Sequence, residues 1–516
     1  MSTNRGRTTG LAGATLVVVM ALAGCSGGGY DGGDGGDSAS LDGAREDAGY
    51  VEPGPGRPEQ PYPGPDGTDP ELYPEYAAWN GMTDPADDAL STFALDIDTG
   101  SYTRFRDAVT NGGYLDPAEV RTEEFVNYFT QDYPTPERGL AVSVDATVLP
   151  FRPEHRLVRV GVASAPATSA AREDADLVLV VDCSGSMAEY GKMGMTKDAL
   201  QTLVTSLRPT DRVAMVCYST EADVFLEPTP VAERQSILWA IDELEPMGST
   251  NAAAGLTLGY DLAMEMRSEG RMTRVILISD GVANVGETDP DGILARISTE
   301  AQAGINLVSV GVGISTYNDH LLEQLADQGD GWHVYVDSEA EAERVFSTEL
   351  TGSLVVAATD ARAQVEFDPE QVAAYRLIGY ENRAMADEDF RNDAVDGGEV
   401  FAGHTTTALY EVALRESRSR EPFVTATVRY LDDAGRPVER SGSLVATDCA
   451  RSPREASPRL YQDLVVAMLT DHLTGGPWSE YVSAADLREA ARALPTSVDR
   501  DPDVVELADL VDWALY

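Results

Sequence analysis

The chain has 516 residues, of which 43% are apolar and 24% are charged. These proportions are typical of a folded globular protein, and the length predicts two to three domains. The 87 acidic residues outnumber the 38 Lys and Arg residues, which gives a net charge of −49. Because such a charge repels DNA, RNA and anionic lipid headgroups, the composition argues against a nucleic-acid partner.

The N-terminus is typical of an exported protein. Arg5 and Arg7 precede the apolar run LAGATLVVVMALAG, which is too short to span a bilayer and suits the core of a signal peptide. Residues 22–25 (LAGC) resemble a bacterial lipobox. This resemblance implies a signal peptide at residues 1–24 and lipidation of the Cys25 thiol. An ordinary signal peptide cleaved nearby is the alternative.

The segments after the signal predict a tethered envelope protein. Residues 25–80 are expected to be a disordered tether, because 26–48 are rich in Gly and Asp and 51–70 are rich in Pro and Gly. No later segment reaches the roughly 18 apolar residues of a transmembrane helix. We therefore expect the lipid to be the only membrane anchor and the protein to lie in the cell envelope, on the outer membrane or the cell surface.

Globular patterns begin at about residue 81. Residues 81–174 predict a strand and two short helices, followed by two more strands. Residues 175–350 alternate buried strands with amphipathic helices, a pattern that predicts a mostly parallel α/β sheet. The strands of this sheet are predicted at 177–182, 212–218, 223–227, 274–279, 305–310 and 332–336.

The remainder predicts a second β unit and a helical end. Residues 351–450 contain alternating strands, which indicate an antiparallel β-rich domain. Because strands of similar pattern precede the α/β unit, we expect the α/β domain to be inserted into one β-sandwich built from both flanks. Residues 451–516 predict a small helical region with a capping box at Ser483 and Asp486. Its helices are predicted near 458–474, 483–494 and 502–515.

Three cysteines follow the lipobox: Cys183, Cys217 and Cys449. Their odd number and unpaired spacing do not support a disulfide framework. Cys183 and Cys217 could be near each other in space, but both lie in apolar strand contexts, so we expect buried free thiols.

The stretch LVLVVDCSGSM, residues 177–187, has the pattern of a buried strand followed by polar side chains. It does not complete a phosphate-binding loop, and it lacks the glycines of a nucleophile elbow. Asp182, Ser184 and Ser186 instead offer short oxygen ligands at the carboxyl end of a strand, where open α/β sheets bind ligands. Oxygen ligands suit a small hard cation such as Mg²⁺.

Two later fragments fit the same edge of the sheet. MGSTNAAAGL places Thr250 on a turn that opens a helix, and RVILISDGVAN is a buried strand that ends in Asp280. Each fragment alone is common, but their ordered combination with Asp-x-Ser-x-Ser is specific. The predicted metal ligands are Asp182, Ser184, Ser186, Thr250 and Asp280.

This combination resembles a von Willebrand factor type A (VWA) domain with a metal-ion-dependent adhesion site, over residues 175–350. The resemblance implies a Rossmann-like fold, with a central mostly parallel sheet flanked by helices. It also implies Mg²⁺, with Mn²⁺ and Ca²⁺ as alternatives, bound by the serines and threonine directly or through water and by the aspartates mostly through water. One coordination position then stays open for a Glu or Asp of a protein partner.

The flanks resemble a family of bacterial lipoproteins that carry this domain. The N-terminal similarity rests on LSTFALDIDTGSYTRFRDAVTNGGYL and EEFVNYFTQDYPTP, and residues 81–174 are interpreted as a VWA-associated segment. The helical end from Leu460 resembles the C-terminal domain of unknown function of that family. The resemblance thus implies a lipid-anchored adhesion protein, and it leaves the identity of the partner open.

The sequence also leaves alternatives to adhesion. A structural envelope protein whose metal only stabilises the fold is the main alternative. DTGS at Asp98–Ser101 resembles the active-site triplet of aspartic proteases, but the second triplet that such enzymes need is absent. His320, His333 and His404 lack zinc-ligand spacing. Because no acid, base or nucleophile set is evident, we expect no enzymatic activity.

Overall fold

In the computed structural model the described residues begin at Trp79. The predicted signal peptide, Cys25 and most of the predicted tether lie outside the described residues, which all fall within Pro63–Tyr516. The described residues are 79–95, 98–113, 115–166, 172–281, 297, 299, 304–313, 322, 325–326, 329, 331–380, 384–392, 395, 397–416, 419–432 and 434–515.

Strands and helices follow the predicted order. The strands are β1 (Leu90–Ala94), β2 (Leu140–Leu149), β3 (Arg152–Ser164), β4 (Asp174–Asp182), β5 (Arg212–Tyr218), β6 (Ala222–Pro230), β7 (Arg271–Ser279), β8 (Ile305–Val312), β9 (Trp332–Val336), β10 (Val356–Phe367), β11 (Val372–Ile378), β12 (Ala384–Met385), β13 (Gly398–Phe401), β14 (Thr405–Leu414), β15 (Pro422–Leu431) and β16 (Pro437–Val445). The helices are α1 (Gly100–Asn111), α2 (Thr122–Tyr128), α3 (Lys192–Ser206), α4 (Arg234–Asp242), α5 (Ala252–Met266), α6 (Glu339–Glu343), α7 (Pro458–Thr474), α8 (Ala484–Ser497) and α9 (Pro502–Ala514).

The α/β domain has one sheet in the order β6-β5-β4-β7-β8-β9. Its strands are parallel except β6, which runs antiparallel at the edge. Helices α3 and α4 pack on one face, and α5 packs on the other. With both faces covered, β4 and β8 are buried along almost their whole length, which explains why they appear in the sequence as continuous apolar runs.

The flanking strands form two antiparallel sheets that share one core. One sheet has the order β12-β1-β10-β15-β16 with β13 beside β10, and the other has the order β11-β14-β3-β2. Each sheet mixes strands from before and after the α/β domain, since β1 pairs with β10 and β3 pairs with β14. Phe93, Val160, Val365 and Tyr410 are buried together between the sheets. The predicted insertion into a β-sandwich is confirmed.

Helices from the two ends of the described chain form a third core. Tyr102 on α1 and Phe125 on α2 are buried in the same cluster as Leu464 on α7 and Leu507 on α9. The predicted capping box at the start of α8 is present. Of the helices that the structure describes, none has both the length and the apolar content needed to span a bilayer.

A buried ionic network joins the end of the α/β domain to α1. Arg106 contacts Asp337 at 2.5 Å and Glu341 at 2.9 Å, and the Tyr128 hydroxyl donates to Glu341 at 3.1 Å. Burial raises the pKa of Glu341, but Arg344 and Arg106 outweigh it, so the net pKa is lowered and the carboxylate is ionised. The network therefore ties α6, which is continued by a π-helix at Arg344–Glu349, to the N-terminal segment.

The prediction of free thiols at Cys183 and Cys217 was wrong, because the structure joins them in a disulfide. Their Cα atoms are 5.8 Å apart, within the range that a disulfide spans. They meet because β4 and β5 are adjacent parallel strands, a proximity that sequence spacing does not reveal. Among the described residues, Cys449 is the free cysteine.

Candidate metal centre

Two adjacent strands bring the first and last predicted ligands together. β4 ends at Asp182, and β7 ends at Ser279, directly before Asp280. The strands are parallel in a register that pairs Val181 with Ile278, so Asp182 and Ser279 are neighbours. The Ser279 hydroxyl donates to Asp182 Oδ2 at 2.8 Å. Both aspartates therefore lie at the carboxyl edge of the sheet, as predicted.

Serine hydroxyls connect the two aspartates. The Ser184 backbone N–H donates to Asp182 Oδ1 at 2.8 Å. The hydroxyl oxygens of Ser184 and Ser186 are 2.9 Å apart, and Ser186 donates to Asp280 Oδ1 at 3.0 Å. The chain then continues into a 3-10 helix at Gly185–Gly191. Four of the five predicted ligands thus form one hydrogen-bonded chain.

The fifth predicted ligand, Thr250, lies on the adjoining loop. The Met247 N–H donates to the Cys183 carbonyl at 2.6 Å, and the Gly185 N–H donates to the Gly248 carbonyl at 3.2 Å. These two backbone bonds fasten the loop before α5 to the loop after β4. Thr250 follows two residues after Gly248, and its side chain is buried.

Asp182 is the most buried ligand of the group. Burial raises the pKa of its carboxyl to about 6, and the charge of Asp280 adds to the increase. Hydrogen bonds from Ser184 and Ser279 act in the opposite direction. A buried carboxylate with a raised pKa is an electrostatic cost at neutral pH, and a bound cation would offset that cost.

The chemistry of the donors fits a hard cation. The two carboxylates and three hydroxyls supply only oxygen, which is the ligand type of Mg²⁺, Mn²⁺ and Ca²⁺. Among the residues that the structure describes, no group of three or more His, Cys, Asp or Glu side chains is arranged to hold a metal. A site at this edge would therefore depend on hydroxyl ligands, which a search for acidic or thiol clusters does not detect.

Lys192 is a member of the site that the sequence analysis missed. Its Nζ lies 2.8 Å from Asp280 Oδ2, and the two side chains are only 4% and 6% exposed. In the sequence, Gly191-Lys192 resembles the end of a phosphate-binding loop that Ser186 and Met193 leave incomplete. Lys192 is the first residue of α3 and follows the 3-10 helix at Gly185–Gly191, and this position is the signal that could have identified it.

The rim of the site is accessible from solvent. Ser186, Gly248 and Ser249 are exposed. Met247 is 57% exposed, although its backbone N–H is bonded to Cys183 in the loop after β4. Solvent therefore reaches Ser186, while Asp182, Ser184 and Thr250 remain buried.

The DTGS turn is occupied by structural contacts. Asp98 is 1% exposed, and its Oδ1 accepts a hydrogen bond from the His333 backbone N–H at 2.9 Å. The Ser101 N–H donates to Glu124 at 2.7 Å. The turn thus attaches α1 to the edge strand β9, which agrees with a structural interpretation and gives no support to a protease.

The other candidate histidines do not form a metal centre in the described residues. His333 Nδ1 is 2.7 Å from the Ser309 hydroxyl. Burial lowers the pKa of His404 to about 4, with smaller contributions from Arg274 and Arg344. His320 lies outside the described residues.

Comparison with protein families supports the architecture derived above. Residues 176–348 match the von Willebrand factor type A domain. These residues have the fold of a VWA domain. Residues 352–447 match the family described as "Uncharacterized protein YfbK, C-terminal", and residues 69–159 match a family described as "von Willebrand factor". The C-terminal match thus covers the β-rich segment, not the helices from Leu460.

The chain is also similar to individual proteins over parts of its length. It is 34% identical to "Uncharacterized protein YfbK" of Escherichia coli (strain K12) over 349 residues, which are 66% of this chain and 61% of the relative. It is 27% identical to inter-alpha-trypsin inhibitor heavy chain H3 of Homo sapiens over 265 residues, 47% of this chain and 29% of the relative. The chain therefore spans less than two thirds of the length of either relative.

Among solved structures, "von Willebrand factor type A from Catenulispora acidiphila" aligns with a TM-score of 0.43 at 16% identity, covering 73% of this chain and 91% of that one. VWA domains typically mediate protein–protein interaction and commonly bind a divalent metal at a site of this kind.

Proposed function

We propose that this chain is a cell-envelope lipoprotein, anchored through Cys25, that captures a protein partner through a divalent cation in its VWA domain. Mg²⁺ is the proposed cation, and Mn²⁺ or Ca²⁺ could replace it. A Glu or Asp of the partner would complete the coordination. The hydrogen-bonded chain from Asp182 through the two serines to Asp280 is the observation that supports this function most directly.

The proposed ligands contribute in two ways: one buried carboxylate supplies negative charge, and the hydroxyl residues supply neutral oxygens. Asp182 is buried and already accepts two hydrogen bonds, so it contributes mainly negative charge from behind the site. Ser184, Ser186 and Thr250 contribute neutral oxygens, which satisfy a hard cation without cancelling its charge. A cation bound here supplies a positive centre for an incoming carboxylate.

The exposed rim favours a protein as the ligand. The Ser186 side chain is exposed to solvent, and Met247 presents an apolar side chain next to the loop after β4. A partner segment with one carboxylate and an adjacent apolar residue would match this arrangement. Specific protein interfaces combine such a polar anchor with apolar contacts.

The proposal assigns no catalytic step to this site. Its donors are hydroxyls and carboxylates held by hydrogen bonds to each other, and the nearby ammonium group of Lys192 is paired with Asp280. Under the alternative function the cation would only stabilise the fold, and no partner would depend on it.

Capture from envelope extract separates these two functions. The full-length protein, solubilised in detergent, is immobilised and incubated with extract in MgCl₂ or in EDTA. The Asp182→Asn and Ser186→Ala variants are compared with Asp198→Ala, which removes an exposed carboxylate of α3. Captured proteins are identified by mass spectrometry, and the melting temperature of each variant is measured in parallel.

The adhesion proposal predicts a partner that is retained in Mg²⁺ by the wild type and by Asp198→Ala. The same partner should be lost in EDTA and in both site variants, although neither site variant melts at a lower temperature than the wild type in EDTA. If no partner depends on Mg²⁺ and metal removal only lowers the melting temperature, the cation has a structural role instead.

A further inference from the structure

Lys192 is held in a fixed position beside the metal site. It is the first residue of α3, and its side chain is 4% exposed. Gly313, at the end of β8, lies against its methylene groups, since a Cβ at Gly313 would be only 2.6 Å from Lys192 Cγ. The Gly313 N–H donates to Val336 at 3.2 Å, and its carbonyl accepts a hydrogen bond from Tyr335. The backbone that follows β8, held by these bonds to β9, therefore lies along the lysine stem.

The two carboxylate oxygens of Asp280 have different partners, and one of them is Lys192. Oδ2 accepts from Lys192 at 2.8 Å, and Oδ1 accepts from Ser186 at 3.0 Å. With one oxygen held by the ammonium group, the other is directed to the serine hydroxyls. Lys192 thus fixes the rotation of the carboxylate at the end of β7.

The same contact changes the charge of the site. The two aspartates carry two negative charges, and Lys192 cancels one of them at close range. A divalent cation added to these groups leaves the edge with a net positive charge. Without the lysine, the aspartates would balance the cation, and a partner carboxylate would meet a neutral site in partly desolvated surroundings, where charge is strongly felt.

We propose that Lys192 makes the metal-loaded edge selective for an anionic ligand, by directing Asp280 Oδ1 toward Ser186 and by leaving the bound cation undercompensated. This inference rests on the proposed function, and it assigns to Lys192 a positioning role that sets the charge of the partner group. Removal of the Lys192 charge should have opposite effects on the binding of the cation and on the binding of the partner carboxylate. The cation gains attraction when a neighbouring positive charge is lost, whereas the carboxylate loses attraction.

Lys192→Met tests this prediction, because methionine keeps an apolar stem of similar length against Gly313. Lys197→Met is the matched control, since Lys197 lies on the same helix and its Nζ donates to the Asp242 carbonyl away from the ligands. Lys192→Arg restores the charge. The full-length proteins are titrated with Mn²⁺, and the Mn²⁺-loaded proteins are titrated with a capped Gly-Glu-Gly peptide and its Gln counterpart, with water-proton relaxation as the readout. Melting temperatures confirm folding.

We expect Lys192→Met to bind Mn²⁺ at least as tightly as the wild type and to bind the Glu peptide roughly tenfold more weakly, a modest value for one close charge. Lys192→Arg and Lys197→Met should retain the preference for Glu over Gln. If Lys192→Met keeps that preference, or if it loses Mn²⁺ binding, the role of Lys192 is refuted while the proposed function stands. If the wild type itself does not distinguish the two peptides, the proposed function fails as well.

Discussion

Replacement of Asp182 by Asn should stabilise the metal-free protein and destabilise the metal-loaded one. Asparagine has nearly the same shape, and its Oδ1 can still accept from the Ser184 N–H. Its amide can donate to the Ser279 hydroxyl, whose proton can then turn from residue 182 to the Gly281 carbonyl, 2.5 Å away. The substitution therefore removes a buried charge and keeps the local hydrogen bonds.

The size of the effect follows from the shifted pKa. Burial raises the pKa of Asp182 from 3.8 to about 6. The folded protein then binds this proton more tightly than the unfolded chain does. Its contribution to stability is most favourable below about pH 4 and is lost as the pH rises to about 6. At pH 7.5 the ionised group destabilises the fold by about 3 kcal/mol, the free energy that corresponds to this shift.

Urea denaturation measures the free energy of unfolding at pH 7.5 and at pH 4, in EDTA and in about 10 mM MgCl₂. In EDTA at pH 7.5, Asp182→Asn should be more stable than the wild type, by up to about 3 kcal/mol, and the difference should disappear near pH 4. In MgCl₂ the wild type should regain stability through binding and Asp182→Asn should not. A variant that is less stable than the wild type in EDTA at pH 7.5 would show that the Asp182 charge does not destabilise the metal-free fold.

Three further perturbations test other parts of the structure. The Cys183–Cys217 disulfide closes a sequence separation of 34 residues, and its reduction should lower the free energy of unfolding by about 3–4 kcal/mol. Urea denaturation curves with and without reductant measure this loss, and an unchanged midpoint would contradict the pairing. Arg106→Met should cost about 3–5 kcal/mol, because it leaves Glu341 and its neighbouring carboxylate without their shared partner; a loss below about 1 kcal/mol would show that the network is not strongly coupled. Ser483→Ala should cost about 1 kcal/mol by removing the cap of α8, and circular dichroism melts would show no change if the helix did not depend on it.

Much of the fold could be predicted because its patterns are local. The strands of the α/β sheet are apolar runs, since helices cover both faces, and the sandwich strands alternate because each has one buried face. The position of the candidate ligands in the sheet could be predicted for a related reason. Asp182 and Asp280 both end buried parallel strands, and such strands present their carboxyl ends at one edge of the sheet.

The features that the sequence did not predict depend on contacts between distant segments. Lys192 acquires its role from Asp280, which lies on another strand. The pairing of Cys183 with Cys217 depends on the order of strands in the sheet. The helical core joins α1 and α2 to helices near the C-terminus, and periodicity within each helix shows only that it has an apolar face, not which segment covers it.

Direct titration with Mn²⁺, followed by electron paramagnetic resonance, tests the central claim that these side chains form a cation site. We expect one Mn²⁺ bound per full-length chain, displaced by Mg²⁺ and lost in Ser186→Ala and Asp280→Asn. Asp198→Ala, on the exposed face of α3, should bind like the wild type. Stoichiometric binding that survives both site substitutions, or a wild-type chain that binds no Mn²⁺, would show that these side chains do not form a cation site.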